Sequence, residues 1–315
     1  MNIHRTLFIN FLLIIGSQLF AQVTENNYKI YSVKSGKEVT LNDIAEDMKN
    51  NDVLFFGEEH NDSVAHYLEN KMFEMLYQKF TNNITLSMEM FDRDVQTVMN
   101  EYLKGGIREK NFTKDARIWS NYKDYKPLVE FAKNNKLDII CANAPSRYTN
   151  LANRKGQKAL MELSDESKKY FAPLPYDTAS GKYYEKLLAL TTHTPTSTAD
   201  TTVKDTTVKK MPPVMSTGFN IIMGQSLWDA TMAYSISEYL KKNKGKKVMQ
   251  LNGRFHSDEG LGILTHLKKY SRKTKSLIIS ALTDESFPNI DWNKHKHLGD
   301  YIIITDPSVP KTFKE

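Results

Sequence analysis

Apolar and polar positions alternate along the chain in blocks that predict strands separated by helices. Val53-Leu54-Phe55-Phe56 is an unbroken apolar run stopping at Gly57, as in a strand buried on both faces. Asn61 and Asp62 are N-cap types, and Ala65, Leu68, Met72, Met75 and Leu76 then recur at helical spacing. Ile84 to Met90 reads as a second strand. After it, Asp92 is placed to cap a helix carrying Val95, Val98, Met99 and Leu103, ended by Gly105-Gly106. Lys123 to Asn134 reads as a helix and Leu137 to Cys141 as a third strand. A helical stretch runs from Arg147 to about Leu190, and one long helix fills 219–242. Lys247 to Leu251 is a fourth strand, Gly260 to Tyr270 a helix, and Leu277 to Leu282 and Tyr301 to Thr305 two further strands.

Strands spaced by helices of this length predict an α/β fold: a mostly parallel sheet flanked by helices. The helix-only stretch between the third and fourth strands is too long for one crossover. It reads as a smaller helical subdomain over about 147–215, within a single α/β domain of 22–315. Inside it, residues 191–210 hold nine threonines in twenty and almost nothing apolar, which predicts a mobile surface loop. At the N-terminus, Arg5 precedes an apolar run from Leu7 to Ile15, and a small residue, Ala21, stands at the cut position of a signal peptide over 1–21. The run is shorter than the roughly 20 residues that span a bilayer, and no later window is apolar enough. The expected address is therefore exported, periplasmic or envelope-associated, without a transmembrane helix.

Composition narrows the chemistry. With 40% apolar and 25% charged residues, whole-chain disorder and a fibre are excluded. The single cysteine, Cys141, excludes a disulfide framework and a Cys-rich zinc or iron–sulfur site within one chain. Any metal must then use His, Asp, Glu or Tyr. The net charge of +6 is uneven: residues 201–315 hold 18 basic and 11 acidic side chains. Such an excess suits an anionic ligand or surface, or simply a solvated lysine-rich face.

The chemistry gathers at strand ends. The first strand ends in Gly57-Glu58-Glu59-His60 and the fourth in Gly253-Arg254-Phe255-His256. In an open parallel sheet, ligands bind beyond the carboxyl ends of the strands. Two G-x-x-H motifs in matching positions thus aim His60 and His256 at one crevice. Glycine there allows a positive φ or a close approach. Glu89, near the end of the second strand, needs a partner: Arg93, Arg254, a histidine or a metal. Histidines among Glu58, Glu59 and Asp258 suit a divalent metal ion or acid–base work. Beyond the third strand, Arg147 and Tyr148 are a candidate propionate partner and a candidate iron ligand for haem.

LFFGEEHND, LSMEMFDRDVQ with YLKGG, RIWSNYKDYKPLVEFAK, CANAPSRYTN and QLNGRFHSDEGLGI together resemble the ChaN-like family of iron-regulated haem-binding proteins. That family belongs to the superfamily of the Tiki metalloproteases and erythromycin esterases, and the resemblance runs in order from about residue 40 to 305. It implies an α/β sheet domain with a smaller helical part, and a role in haem and iron uptake at the bacterial envelope. Haem would involve His60, Arg147, Tyr148 and His256. The superfamily pattern falls on His60, His256, Glu89 and Arg93, which would be catalytic in a metal-dependent hydrolase, the alternative reading. A metal site would draw on Glu58, His60, Glu89 and His256. The expected partners are haem, an outer-membrane haem receptor and a second copy of the chain, and no nucleic acid. Family members are often lipoproteins; this chain has no lipobox cysteine, so the resemblance does not extend to a lipid anchor.

Overall fold

The computed structural model describes residues 23–192 and 220–314. The leader over 1–21 lies outside them, and so does the threonine-rich loop apart from Thr191 and Thr192. The described residues contain one sheet of eight strands: β1 (Tyr28–Ser32), β2 (Lys37–Val39), β3 (Val53–Glu58), β4 (Ile84–Asp92), β5 (Ile139–Asn143), β6 (Lys247–Gly253), β7 (Ser276–Thr283) and β8 (Tyr301–Thr305). Their order is β2-β1-β8-β7-β3-β6-β4-β5. The run from β8 to β5 is parallel, and β1 pairs antiparallel with both β8 and β2. The fold is the mostly parallel α/β sheet that the spacing predicts. The antiparallel edge escapes that reading because β1 and β2 are short and part-exposed, so pairing with β8 rather than their own pattern defines them.

The helices are α1 (Leu41–Asp47), α2 (Ser63–Phe80), α3 (Gln96–Leu103), α4 (Glu109–Asp115), α5 (Tyr122–Asn134), α6 (Ser146–Met161), α7 (Asp165–Lys168), α8 (Gly181–Thr192), α9 (Ile221–Lys242) and α10 (Ile263–Tyr270). Strand alternation sorts them into two layers. Leu54 and Phe56 face a core shared with α1, α2 and α5, whereas Val53 and Phe55 face one shared with α9 and α10. Side chains this size contribute about 1.5–3 kcal/mol each when fully buried, so the continuous apolar run of β3 is what locks it at mid-sheet. Within the expected helical subdomain, Tyr148 and Leu160 of α6 and Phe171 pack with Leu227 and Ala230 of α9.

Two local expectations change. Asp62 caps α2 as predicted, accepting from the Val64 and Ala65 N–H groups. Asp92 caps nothing; it pairs with Arg117, and α3 begins only at Gln96. The Gln96 side chain instead binds the edge strand, donating to Ile139 O at 2.8 Å and accepting from Cys141 N–H at 2.8 Å. This covers part of an edge that would otherwise offer free backbone groups.

Candidate active site at the strand ends

β3 and β6 run side by side to their carboxyl ends, where Glu58 faces Gly253. β4 pairs with β6 only as far as Met88, and its register with β5 slips between Met88 and Asp92. The slip turns Glu89 toward β6, where its Oε2 accepts from Gly253 N–H at 2.7 Å. Such irregularities commonly re-aim a side chain at a functional end of a sheet.

The two motif histidines meet here but differ in state. His60 Nδ1 lies 2.8 Å from Glu58 Oε1, and its side chain is 32% exposed. The edge of Trp119 flanks the ring, with centroids 5.2 Å apart. No protein group among the described residues hydrogen-bonds Nε2. Burial works against a charge on His60, but the Glu58 hydrogen bond and the Glu89 and Glu58 charges outweigh it, so its pKa lies above the usual value. His256 is buried. Its Nδ1 lies 2.7 Å from Asp229 Oδ1 and its Nε2 3.4 Å from Glu89 Oε1. Tyr183 donates to the other Asp229 oxygen at 2.7 Å. Against burial, Glu89 and Asp229 hold His256 protonated well above the ordinary histidine range. Burial would raise Glu89, yet His256, His60 and the Gly253 N–H keep it below its usual value.

The motif glycines are explained by space. Neither Gly57 nor Gly253 has a positive φ. A Cβ on Gly253 would sit 2.7 Å from His60 Nε2, and one on Gly57 2.8 Å from Arg254 Cα. Each glycine therefore lets one motif pack against the other.

The structure brings Glu58, His60, Glu89 and His256 to the carboxyl ends of neighbouring strands, and places the other candidates elsewhere. Arg93 does not face Glu89: its Nη1 donates to Ser235 at 2.6 Å and its guanidinium lies over Tyr234. Chain direction explains this, since the 3-10 turn after β4 carries Arg93 toward α9. Arg254 pairs with Asp258 at 3.3 Å. Arg147, half exposed, binds Asp94 at 2.6 Å and stacks on Tyr148, whose ring is buried against Phe171. They follow β5, two strand spacings or about 10 Å from β6. The four residues expected as a metal set stand as two pairs, Glu58 with His60 and Glu89 with His256. Among the described residues, the group whose donor atoms lie within 4.8 Å of one another is Glu58, His66 and Glu69. A cavity of about 850 Å³ lies away from all of these, beside β1 and lined by Tyr28, Tyr67 and Lys71.

Sequence reasoning missed Asp229, His66 and Glu69. Each is a charged or polar residue inside the apolar stripe of its helix. That was a readable signal, since such a group is retained only when partnered.

Comparison with known proteins follows the same lines. Residues 44–267 match the family described as haem-binding uptake, Tiki superfamily, ChaN. No curated protein matches the chain by sequence. Among solved structures, the ChaN protein of Campylobacter jejuni with cofacially bound haem is similar at 16% identity and a TM-score of 0.65, over 90% of this chain and 98% of that one. An erythromycin esterase mutant in its open conformation gives 9% identity and a TM-score of 0.45, over 89% and 83%. The type III effector HopBA1 gives 11% and 0.43, over 84% and 93%. With well over half its length matched by that family, the chain belongs to the ChaN haem-binding uptake family of the Tiki superfamily.

Proposed function

We propose that this chain is an exported haem-binding protein of iron uptake, and that haem docks at the strand-end crevice with His60 Nε2 toward the iron. The observation that carries this is the state of His60: Nδ1 is held by Glu58, and Nε2 has no protein partner among the described residues, on a ring one-third exposed. A carboxylate on one ring nitrogen fixes the tautomer that leaves the other as an iron ligand. His256, held by carboxylates at both nitrogens, supplies positive charge rather than a ligand. Arg147, with Tyr148 beneath its guanidinium, is the candidate partner of a propionate on the rim. Haem supplies the iron; the protein supplies a nitrogen, a cationic border and partial exclusion of water.

The signal-peptide order of residues 1–21 supports export, with a mature N-terminus at Gln22. Among the described residues, no helix is long and apolar enough to cross a membrane. The haem-binding uptake description of the family supports haem as the ligand; a second copy of the chain and an outer-membrane haem receptor are proposed with it as partners. One observation favours a hydrolase instead, namely the Asp229–His256–Glu89 row. An imidazolium engaged at both nitrogens is, however, poorly placed to accept a proton.

The test is a haemin titration followed at the Soret band. The parent chain should give a saturable shift. His60→Ala should bind at least about tenfold more weakly, a loss of about 1.4 kcal/mol or more. Equal binding by the parent and His60→Ala would move the haem away from this crevice.

A further inference from the structure

Glu58 has a second face, turned toward α2. His66 and Glu69 stand one turn apart on the buried side of α2, and Glu58 and Glu69 are essentially inaccessible to solvent. His66 Nε2 lies 3.1 Å from the backbone oxygen of His60. A carbonyl only accepts, so Nε2 carries the proton. His66 Nδ1 then faces Glu58 Oε2 at 3.1 Å and Glu69 Oε2 at 3.2 Å. One N–H there can point at only one oxygen, and it points at Glu69. Among the described residues, Glu58 Oε2 and Glu69 Oε1 have no hydrogen-bond donor. Buried carboxylate oxygens without a donor are rare and costly.

Charge makes the same point. With His66 protonated, Glu58, Glu69 and His66 sum to minus one, and Asp124, 3.9 Å from Nε2, adds another negative charge. A divalent cation in place of the Nδ1 proton brings the three residues to zero. Protein alone can relieve the excess only by taking up protons.

We propose that Glu58, His66 and Glu69 form a buried site for a divalent transition-metal ion, held by His66 Nδ1, Glu58 Oε2 and the Glu69 carboxylate. One imidazole with two carboxylates suits zinc, manganese or ferrous iron better than the all-oxygen ions calcium and magnesium. The surroundings match those of a ligand set. His66 gives its other N–H to a backbone carbonyl, and Glu58 Oε1 is fixed by Tyr125 at 2.7 Å and by His60 at 2.8 Å. Glu58 thereby ties the ion to the base of His60, on the opposite side from the crevice.

The experiment uses the full chain, purified without chelator and also refolded with Zn²⁺ or Mn²⁺ and gel-filtered before elemental analysis. The parent should keep about one ion per chain, as a three-ligand site does. Glu69→Gln and His66→Gln should hold at least about tenfold less, the usual consequence of losing a ligand. His256→Ala, whose ring bonds Asp229 and Glu89 and none of the three ligands, should hold as much as the parent. If the two ligand variants do not fold, the position of the anomalous metal peak in parent crystals decides, and it is expected beside His66 Nδ1. A parent without stoichiometric ion, an undiminished ion in Glu69→Gln, or an ion lost in His256→Ala would each overturn the site. Haemin binding is read separately at the Soret band. A chain that binds haemin but no ion sinks this inference alone, and one that holds the ion but binds no haemin sinks the haem reading alone.

Discussion

The two G-x-x-H turns have the same spacing, the same place after a parallel strand and a glycine required for close packing, yet they hold their histidines in opposite conditions. The turn after β3 leaves His60 partly open, tethered through one nitrogen. The turn after β6 buries His256 between Asp229 and Glu89 and uses both of its nitrogens. The difference comes from what packs above each turn. Helix α9 brings Asp229 against His256, whereas the ring of His60 packs between Gly253 and Trp119, with no carboxylate at its second nitrogen among the described residues. A motif thus fixes where a histidine stands; its neighbours decide whether it can take a ligand.

The sharpest way to break this comparison is to remove each histidine and measure stability. His256→Ala leaves Glu89 and Asp229 buried without their shared cation, and should lower unfolding free energy by about 3–5 kcal/mol. His60→Ala should cost about 1 kcal/mol or less, because its ring is partly exposed and Glu58 keeps the Tyr125 hydrogen bond. Strand-end position alone predicts small costs for both. Equal costs in chemical denaturation would mean that the two sites are alike.

The glycines sharpen the contrast. Gly57→Ala drives a Cβ against the Arg254 backbone and should destabilise by about 1–3 kcal/mol. Gly253→Ala instead meets the His60 ring, which can swing outward. It should unfold at a temperature closer to the parent's but bind haemin more weakly. A Gly253→Ala protein with parental haemin affinity would show that ring placement does not matter.

Acid and base should separate the two histidines as well. A histidine with a raised folded pKa adds stability that is complete below its unfolded value, about 6.5, and is lost as pH rises through the folded value. For His256 that loss reaches far into the alkaline range, since its pKa lies well above the ordinary value. His60 is raised less and contributes over a narrower window just above the ordinary value. Stability of the parent should therefore fall on the alkaline side, and that fall should shrink in His256→Ala. Because a protonated ring cannot bind iron, haemin affinity should rise with pH through the His60 window. Flat profiles in both measurements would contradict the assignment. The smallest effect is expected for Tyr148→Phe, which removes one 3.3 Å hydrogen bond from Arg147. Melting should change by about 1 kcal/mol or less, and haemin affinity little.

Much of this was legible in the sequence, for physical reasons. The continuous apolar run of β3, the shorter apolar stretches of β6 and the glycines after them marked the strands and their carboxyl ends, and Asp62 marked the start of α2. What stayed hidden depends on contacts between distant segments. Arg93 follows Glu89 closely in sequence but points to α9, a direction set by the irregular end of β4. Asp229 is 27 residues from His256, and only packing of α9 on the sheet brings them together. Glu58, read as a flank of His60, faces His66 and Glu69 as well, because α2 lies back across β3.

The central claim is that His60 is the open histidine and His256 the closed one. The position of the iron in crystals of the haemin complex, located by its anomalous scattering, tests this most directly. The account predicts iron in bonding contact with His60 Nε2 and none beside His256. Iron against Tyr67 or Tyr28, in the cavity beside β1, would contradict it and move the haem site to the other end of the sheet order.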